Sequence, residues 1–61
     1  MTLKIYRLRE YPGGFVMDDT PEAVYENITE YIDAGRVVYF KTGEKQNTRR
    51  KDAWNYRFIL E

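Results

Sequence analysis

The feature that most limits the fold of this 61-residue chain is the absence of both cysteine and histidine. Disulfides and zinc sites, which stabilise many small domains, are therefore excluded. A chain of this length buries only about 60% of the surface that its unfolded form exposes, so stability must come from one well-packed core or from oligomerisation. No repeat or linker divides the sequence, and we expect a single small domain over residues 1–61.

The residue types also restrict the chemistry that the chain can perform. Serine is absent as well, so the nucleophilic triads and dyads built on serine, cysteine and histidine have no members here. Asp18 and Asp19 precede a predicted helix, where adjacent acids serve the cap and the helix dipole more often than a metal. We expect a protein that is not an enzyme and has no cofactor or metal.

No apolar run approaches the roughly 18 residues that would span a bilayer. The first twenty residues also lack the apolar core of a signal peptide. These features favour a cytoplasmic location and no membrane partner.

A turn is predicted at Tyr11-Pro12-Gly13-Gly14, because proline presets one backbone dihedral and the glycines permit positive φ. The flanking residues 2–10 and 15–18 are predicted to form the two strands of a hairpin.

A helix is predicted over residues 21–34. Thr20 is a suitable N-cap, Pro21 suits the first helical position, and Gly35 provides the stop. At about 100° per residue, five apolar side chains fall in one arc of roughly 120°. They are Val24, Tyr25, Ile28, Tyr31 and Ile32.

Two further strands are predicted over residues 36–41 and 53–60, joined by a long basic loop over residues 41–52. The sequence therefore predicts an α+β fold of the ββαββ type, with a four-stranded, mainly antiparallel sheet and one helix packed on one face. The predicted core consists of Leu3, Ile5, Val24, Ile28, Ile32, Val38, Phe40, Trp54, Phe58 and Leu60.

One helix would cover only one face of the predicted sheet, and apolar residues are also present on the opposite face. We expect Val37, Tyr39 and Ile59 there, beside Tyr6 or Leu8. Such a face favours association with another protein, either a second copy or a different partner. Scattered apolar residues on a small domain would be the simpler interpretation. The first function that the sequence favours is thus a small regulatory or binding protein that acts by protein association, most simply as a homodimer.

Charge is strongly segregated along the chain. Six acids and no base lie between residues 18 and 34, whereas the remainder has ten bases and four acids. Four acids share the outer side of the predicted helix, either as a solvated face or as a docking strip for a basic partner. They are Glu22, Glu26, Glu30 and Asp33.

The alternative function is nucleic-acid binding through the basic loop at residues 45–51. Its cations could hold phosphates while a nearby aromatic side chain stacks on a base. A net charge of zero argues against strong non-specific affinity. The candidate residues are Lys45, Arg49, Arg50, Lys51 and Arg57.

Overall fold

The structure is a computed structural model that describes residues 1–51 and 55–61 of the chain. Its regular elements are all strands, and no helix occurs among these residues. The strands are β1 (Leu3–Tyr11), β2 (Gly14–Met17), β3 (Ala23–Tyr25), β4 (Ile28–Asp33), β5 (Val37–Thr42), β6 (Lys45–Arg50) and β7 (Tyr56–Leu60).

The strands form two antiparallel sheets. In the first sheet β1 pairs with β2 and β3 along one edge and with β7 along the other. Backbone hydrogen bonds show which strand lies on which edge of β1. On the β2 edge the Arg7 carbonyl accepts from the Asp18 amide (2.9 Å), and on the β7 edge the Leu8 amide donates to the Asn55 carbonyl (2.6 Å). The second sheet is the meander β4-β5-β6.

The core lies between the two sheets. Leu3 and Ile5 from the first sheet and Val38 and Phe40 from the second have no exposed surface, and Ile28 is almost fully buried. These five positions were all predicted as core, and burial confirms them. Phe58 packs against this cluster as a partly buried side chain.

Three other predicted core residues are exposed: Val24, Ile32 and Leu60. Val24 and Ile32 lie on outer faces of the strands that replace the predicted helix. Trp54 lies outside the described residues.

The predicted helix over residues 21–34 is wrong, and with it the α+β fold class. The segment forms β3 and β4 instead. Its large side chains are β-branched or aromatic, which favours strands over helix. Asn27 adopts a positive φ of 56° between the two strands, a conformation that asparagine tolerates better than most residues. A helix would also have placed like charges four residues apart along its outer side.

The helix-like spacing has a specific origin in the strands. Tyr25, Ile28 and Tyr31 all face the core, three residues apart. Strand residues normally alternate between faces, but the turn at Asn27 and a β-bulge after Ile28 each shift this alternation by one residue. Two interruptions of the two-residue alternation therefore produce a three-residue spacing of core-facing side chains, which resembles the spacing in a helix.

The predicted hairpin at residues 11–14 is confirmed, since Tyr11 pairs with Gly14 across a Pro12-Gly13 turn. Gly13 has a φ of 101°, as the third position of a type II turn requires. The predicted loop over residues 41–52 is wrong for most of its described part, residues 41–51, and residue 52 lies outside the described residues. Most of that described part is a second hairpin, in which Thr42 pairs with Lys45 and Gly43 (φ 62°) begins the two-residue turn.

Candidate protein-association surface

One apolar surface covers the side of the first sheet that points away from the core. Because Leu3 and Ile5 point inward, the alternate residues of β1 point outward, and the strand register places residues of β2, β3 and β7 beside them. We define the outer face of the first sheet by six apolar residues (Tyr6, Leu8, Phe15, Met17, Val24 and Ile59) and three charged residues (Lys4, Glu10 and Arg57).

Three apolar residues of this outer face are exposed, and the other three, Tyr6, Leu8 and Ile59, are half-buried. Phe15 is 52% exposed, Val24 45% and Met17 39%. Large apolar side chains at this exposure rarely cluster on one side of a small protein unless they meet a partner. A shallow hollow of about 420 Å³ lies between five residues of the face. Its lining consists of Leu8, Phe15, Met17, Arg57 and Ile59.

The end of the β1–β2 hairpin is an exposed arm. Residues 9–17 are all exposed, and Tyr11 and Val16 add large apolar side chains on the side of the arm opposite the outer face. The molecule measures 43 × 22 × 13 Å, and its radius of gyration of 12.4 Å exceeds the roughly 10.5 Å typical of a compact chain of 61 residues. The arm therefore offers apolar surface beyond the two-sheet body.

An ion pair fixes the base of the arm. The Arg9 guanidinium donates to both carboxylate oxygens of Asp18, from Nε at 2.8 Å and from Nη2 at 3.2 Å. This hydrogen bonding, followed by the charge of Asp18, raises the pKa of Arg9. A bidentate guanidinium-carboxylate pair holds its partners in one relative orientation, so it favours a single direction for the arm.

The charged residues of the outer face differ in their partners. Lys4 forms an ion pair with Glu61 at 3.2 Å. Glu10 and Arg57 are both exposed, and neither forms an ion pair within residues 1–51 and 55–61. Among the described residues, the outer face thus carries one charge of each sign that has no ion-pair partner.

The four residues predicted for the partner-binding face lie on two different sheets. Tyr6 and Ile59 belong to the outer face of the first sheet, whereas Val37 and Tyr39 lie on the outer side of β5 in the second sheet. There Tyr39 is opposite Ile32 on β4, and these side chains are 40% and 50% exposed. Without a helix, each sheet buries one side against the other sheet and turns its second side outward.

The residues that the partner-face prediction omitted are Phe15, Met17 and Val24. Phe15 and Met17 alternate in the short strand after the Pro12-Gly13 turn, so pairing that strand with β1 would have placed them beside Leu8. Val24 was assigned to the helix.

The five bases proposed for nucleic-acid binding lie on different faces and on both sheets. Arg49 points toward the core side of β6, where its Nη1 donates to the Tyr25 hydroxyl at 3.0 Å and its guanidinium lies 6.0 Å from the Tyr25 ring. Arg50 follows on the opposite face of β6, and Lys45 begins that strand next to the turn. Lys51 pairs with Asp33, and Arg57 lies on the outer face of the first sheet.

The four acids predicted as a helical strip are dispersed, because the helix is absent. Glu30 is opposite Lys41, with a charge separation of 3.8 Å. Glu22 lies just before β3, where its amide donates to the Ile5 carbonyl, and Glu26 lies at the β3–β4 turn. Asp33 ends β4.

Asp33 organises the turn between β4 and β5. Its carboxylate accepts a hydrogen bond from the Lys51 ammonium and another from the Gly35 amide at 2.9 Å. The bond from Lys51, and then the bond from Gly35, lower the pKa of Asp33. Burial, followed by the charge of Asp33, raises the pKa of neighbouring Tyr31.

The described residues contain no group of three or more acids placed to hold a metal ion. They also contain no helix long and apolar enough to cross a membrane. Comparison with protein-family models, curated proteins and solved structures finds no significant match.

Proposed function

We propose that this chain is a small, non-enzymatic binding protein that acts by protein association, and that the outer face of the first sheet is its binding surface. The observation that carries the proposal is the alignment of six apolar side chains on one solvent-facing side of the sheet. The proposal keeps the cytoplasmic location that the sequence favours.

The outer face of the first sheet is preferred over that of the second for two reasons. It extends along the exposed arm, so a partner can reach it without steric hindrance from the body. The exposed Ile32–Tyr39 pair of the second sheet instead has the Glu30–Lys41 ion pair as its neighbour along the strands and the polar Thr48 beside it on β6. Charged and polar neighbours are typical of the rim of an interface rather than its centre.

Nucleic-acid binding is the second function that the sequence favours. No observation on the described residues adds to it, since Arg49 and Lys51 already have partners within the chain.

Site-specific photocrosslinking in living cells tests the proposed surface. A benzoylphenylalanine side chain would replace Phe15 on the outer face or, as a matched aromatic control, Tyr39 on the second sheet. We expect a discrete adduct from position 15 and a much weaker one from position 39, because a partner contacts the first sheet.

A pair of substitutions separates specific contact from chance encounter. Met17→Glu places a charge next to the crosslinker and should remove the adduct, whereas Ile32→Glu on the second sheet should leave it unchanged. Equal adducts from both positions, or no adduct from either, would contradict the proposal.

A further inference from the structure

The outer face of the first sheet has the arrangement of residues that a dimer with twofold symmetry requires. In a twofold dimer the same patch is used by both copies, so any contact between two different residues occurs twice. Such a patch has to be complementary to itself. The outer face is apolar at its centre, around Leu8 and Met17, and its unpaired charges lie on either side of that centre.

The register fixes the positions of these charges. Arg57 on β7 is opposite Tyr6 on β1, and Glu10 is four residues after Tyr6 along β1. At about 3.3 Å per residue the two charges are roughly 13 Å apart along the strand, too far to pair within one chain. Leu8 lies midway between them, directly opposite Met17 on β2.

We infer that the partner of this face is a second copy of the chain, packed face to face about a twofold axis that crosses the strands at the Leu8–Met17 pair. This axis reverses the strand direction in the second copy. The Glu10 end of each copy then lies over the Arg57 end of the other, so both unpaired charges gain an opposite charge. The inference rests on the proposed function and identifies its partner.

The size of the face sets the strength that we expect. Its nine residues are fewer than the roughly 20 to 30 residues that each partner contributes to a standard interface. A dimer on this face would therefore be reversible, with a dissociation constant in the micromolar range. Charge complementarity would fix its orientation more than its affinity.

Charge reversal measured by sedimentation equilibrium, from about 10 µM to 1 mM, tests this geometry. Glu10→Arg alone or Arg57→Glu alone replaces two attractive pairs with two like-charged pairs, so each should raise the dissociation constant by about tenfold or more. The double variant Glu10→Arg/Arg57→Glu restores opposite charges at both places. We expect its dissociation constant to return to within about threefold of the unmodified chain.

Glu44→Arg provides the matched control, since Glu44 is an exposed acid in the β5–β6 turn of the other sheet. It should leave the dissociation constant unchanged. Circular dichroism and thermal melting of each variant verify that all four have the same fold.

Three results would overturn the inference: an unmodified chain that stays monomeric at 1 mM, single reversals without effect, or a double variant as weak as the single ones. A monomeric chain that still gives adducts from position 15 with a different protein would reject the self-association alone. The absence of these adducts as well would also reject the proposed function.

Discussion

Three of the six acids between residues 18 and 34 form ion pairs with cations from other parts of the chain. Asp18 pairs with Arg9, Glu30 with Lys41, and Asp33 with Lys51. Charges that are segregated along the sequence are thus brought together by strand pairing and by the turns. Each exposed ion pair contributes little stability. We therefore infer that the main role of these pairs is to orient the arm and the turns.

The Asp33 pair should make stability depend on pH at the acid end. Because the pKa of Asp33 is lower in the folded chain than in the unfolded one, its contribution is present above the ordinary aspartate value near 3.9 and is lost as pH falls through the folded value. Asp33→Asn should lower the melting temperature at pH 7, and the difference from the unmodified chain should shrink below about pH 4.

Thermal melts at pH 7, 4 and 2.5 measure this effect. Asparagine keeps an oxygen that can accept from the Gly35 amide, so the substitution chiefly removes the charge. Asp19→Asn is the control, since Asp19 is an exposed acid with no ion pair among the described residues, and it should show no comparable change. A difference for Asp33→Asn that stays constant down to pH 2.5 would contradict the assignment.

At the scale of the elements, local patterns predicted some parts of the fold and misled at others. The hairpin at Pro12-Gly13 and the strand at residues 36–41 were recognisable, because turn chemistry and β-branched residues act locally. Local patterns did not reveal that residues 21–34 form β3 and β4 instead of a helix. The formation of these strands depends on the Asn27 turn, on the bulge after Ile28, and on the pairing of β3 with the distant strand β1 and of β4 with the next strand, β5.

The candidate surface was predicted only in part for the same reason. Tyr6 and Ile59 could be placed on a shared outer face by alternation within their own strands. Phe15 and Met17 join them only through the pairing of β2 with β1, and Val24 only through the pairing of β3. The register between paired strands therefore decides which apolar side chains form one surface.

The two isoleucines of β4 provide a test of strand against helix. In the predicted helix Ile28 and Ile32 would share the core-facing side. In the strand Ile28 is 2% exposed and Ile32 is 50% exposed. Ile28→Ala should cost about 2 to 5 kcal/mol of unfolding free energy, whereas Ile32→Ala should cost about 0.5 kcal/mol or less.

Urea denaturation of both variants, followed by tryptophan fluorescence, gives the two values. Similar large losses for both substitutions would contradict the strand assignment and favour the helix. Similar small losses would show that Ile28 is not part of the core.

In the molecule as a whole, two thin sheets share a small core, in which five side chains of residues 1–51 and 55–61 are buried. Each sheet consequently has one buried and one solvent-facing side, and the first sheet extends its solvent-facing side along the arm. A core this small gives marginal stability. Burial of the outer face in a dimer would add stability through mass action.

Self-association through the outer face of the first sheet is tested by a dilution series of assigned backbone amide NMR spectra of the chain alone. Between about 1 mM and 10 µM, we predict concentration-dependent shifts at Tyr6, Leu8, Met17 and Ile59, and constant shifts at Ile32 and Tyr39. Shifts confined to the second sheet, or spectra that do not change with concentration, would contradict self-association through the outer face.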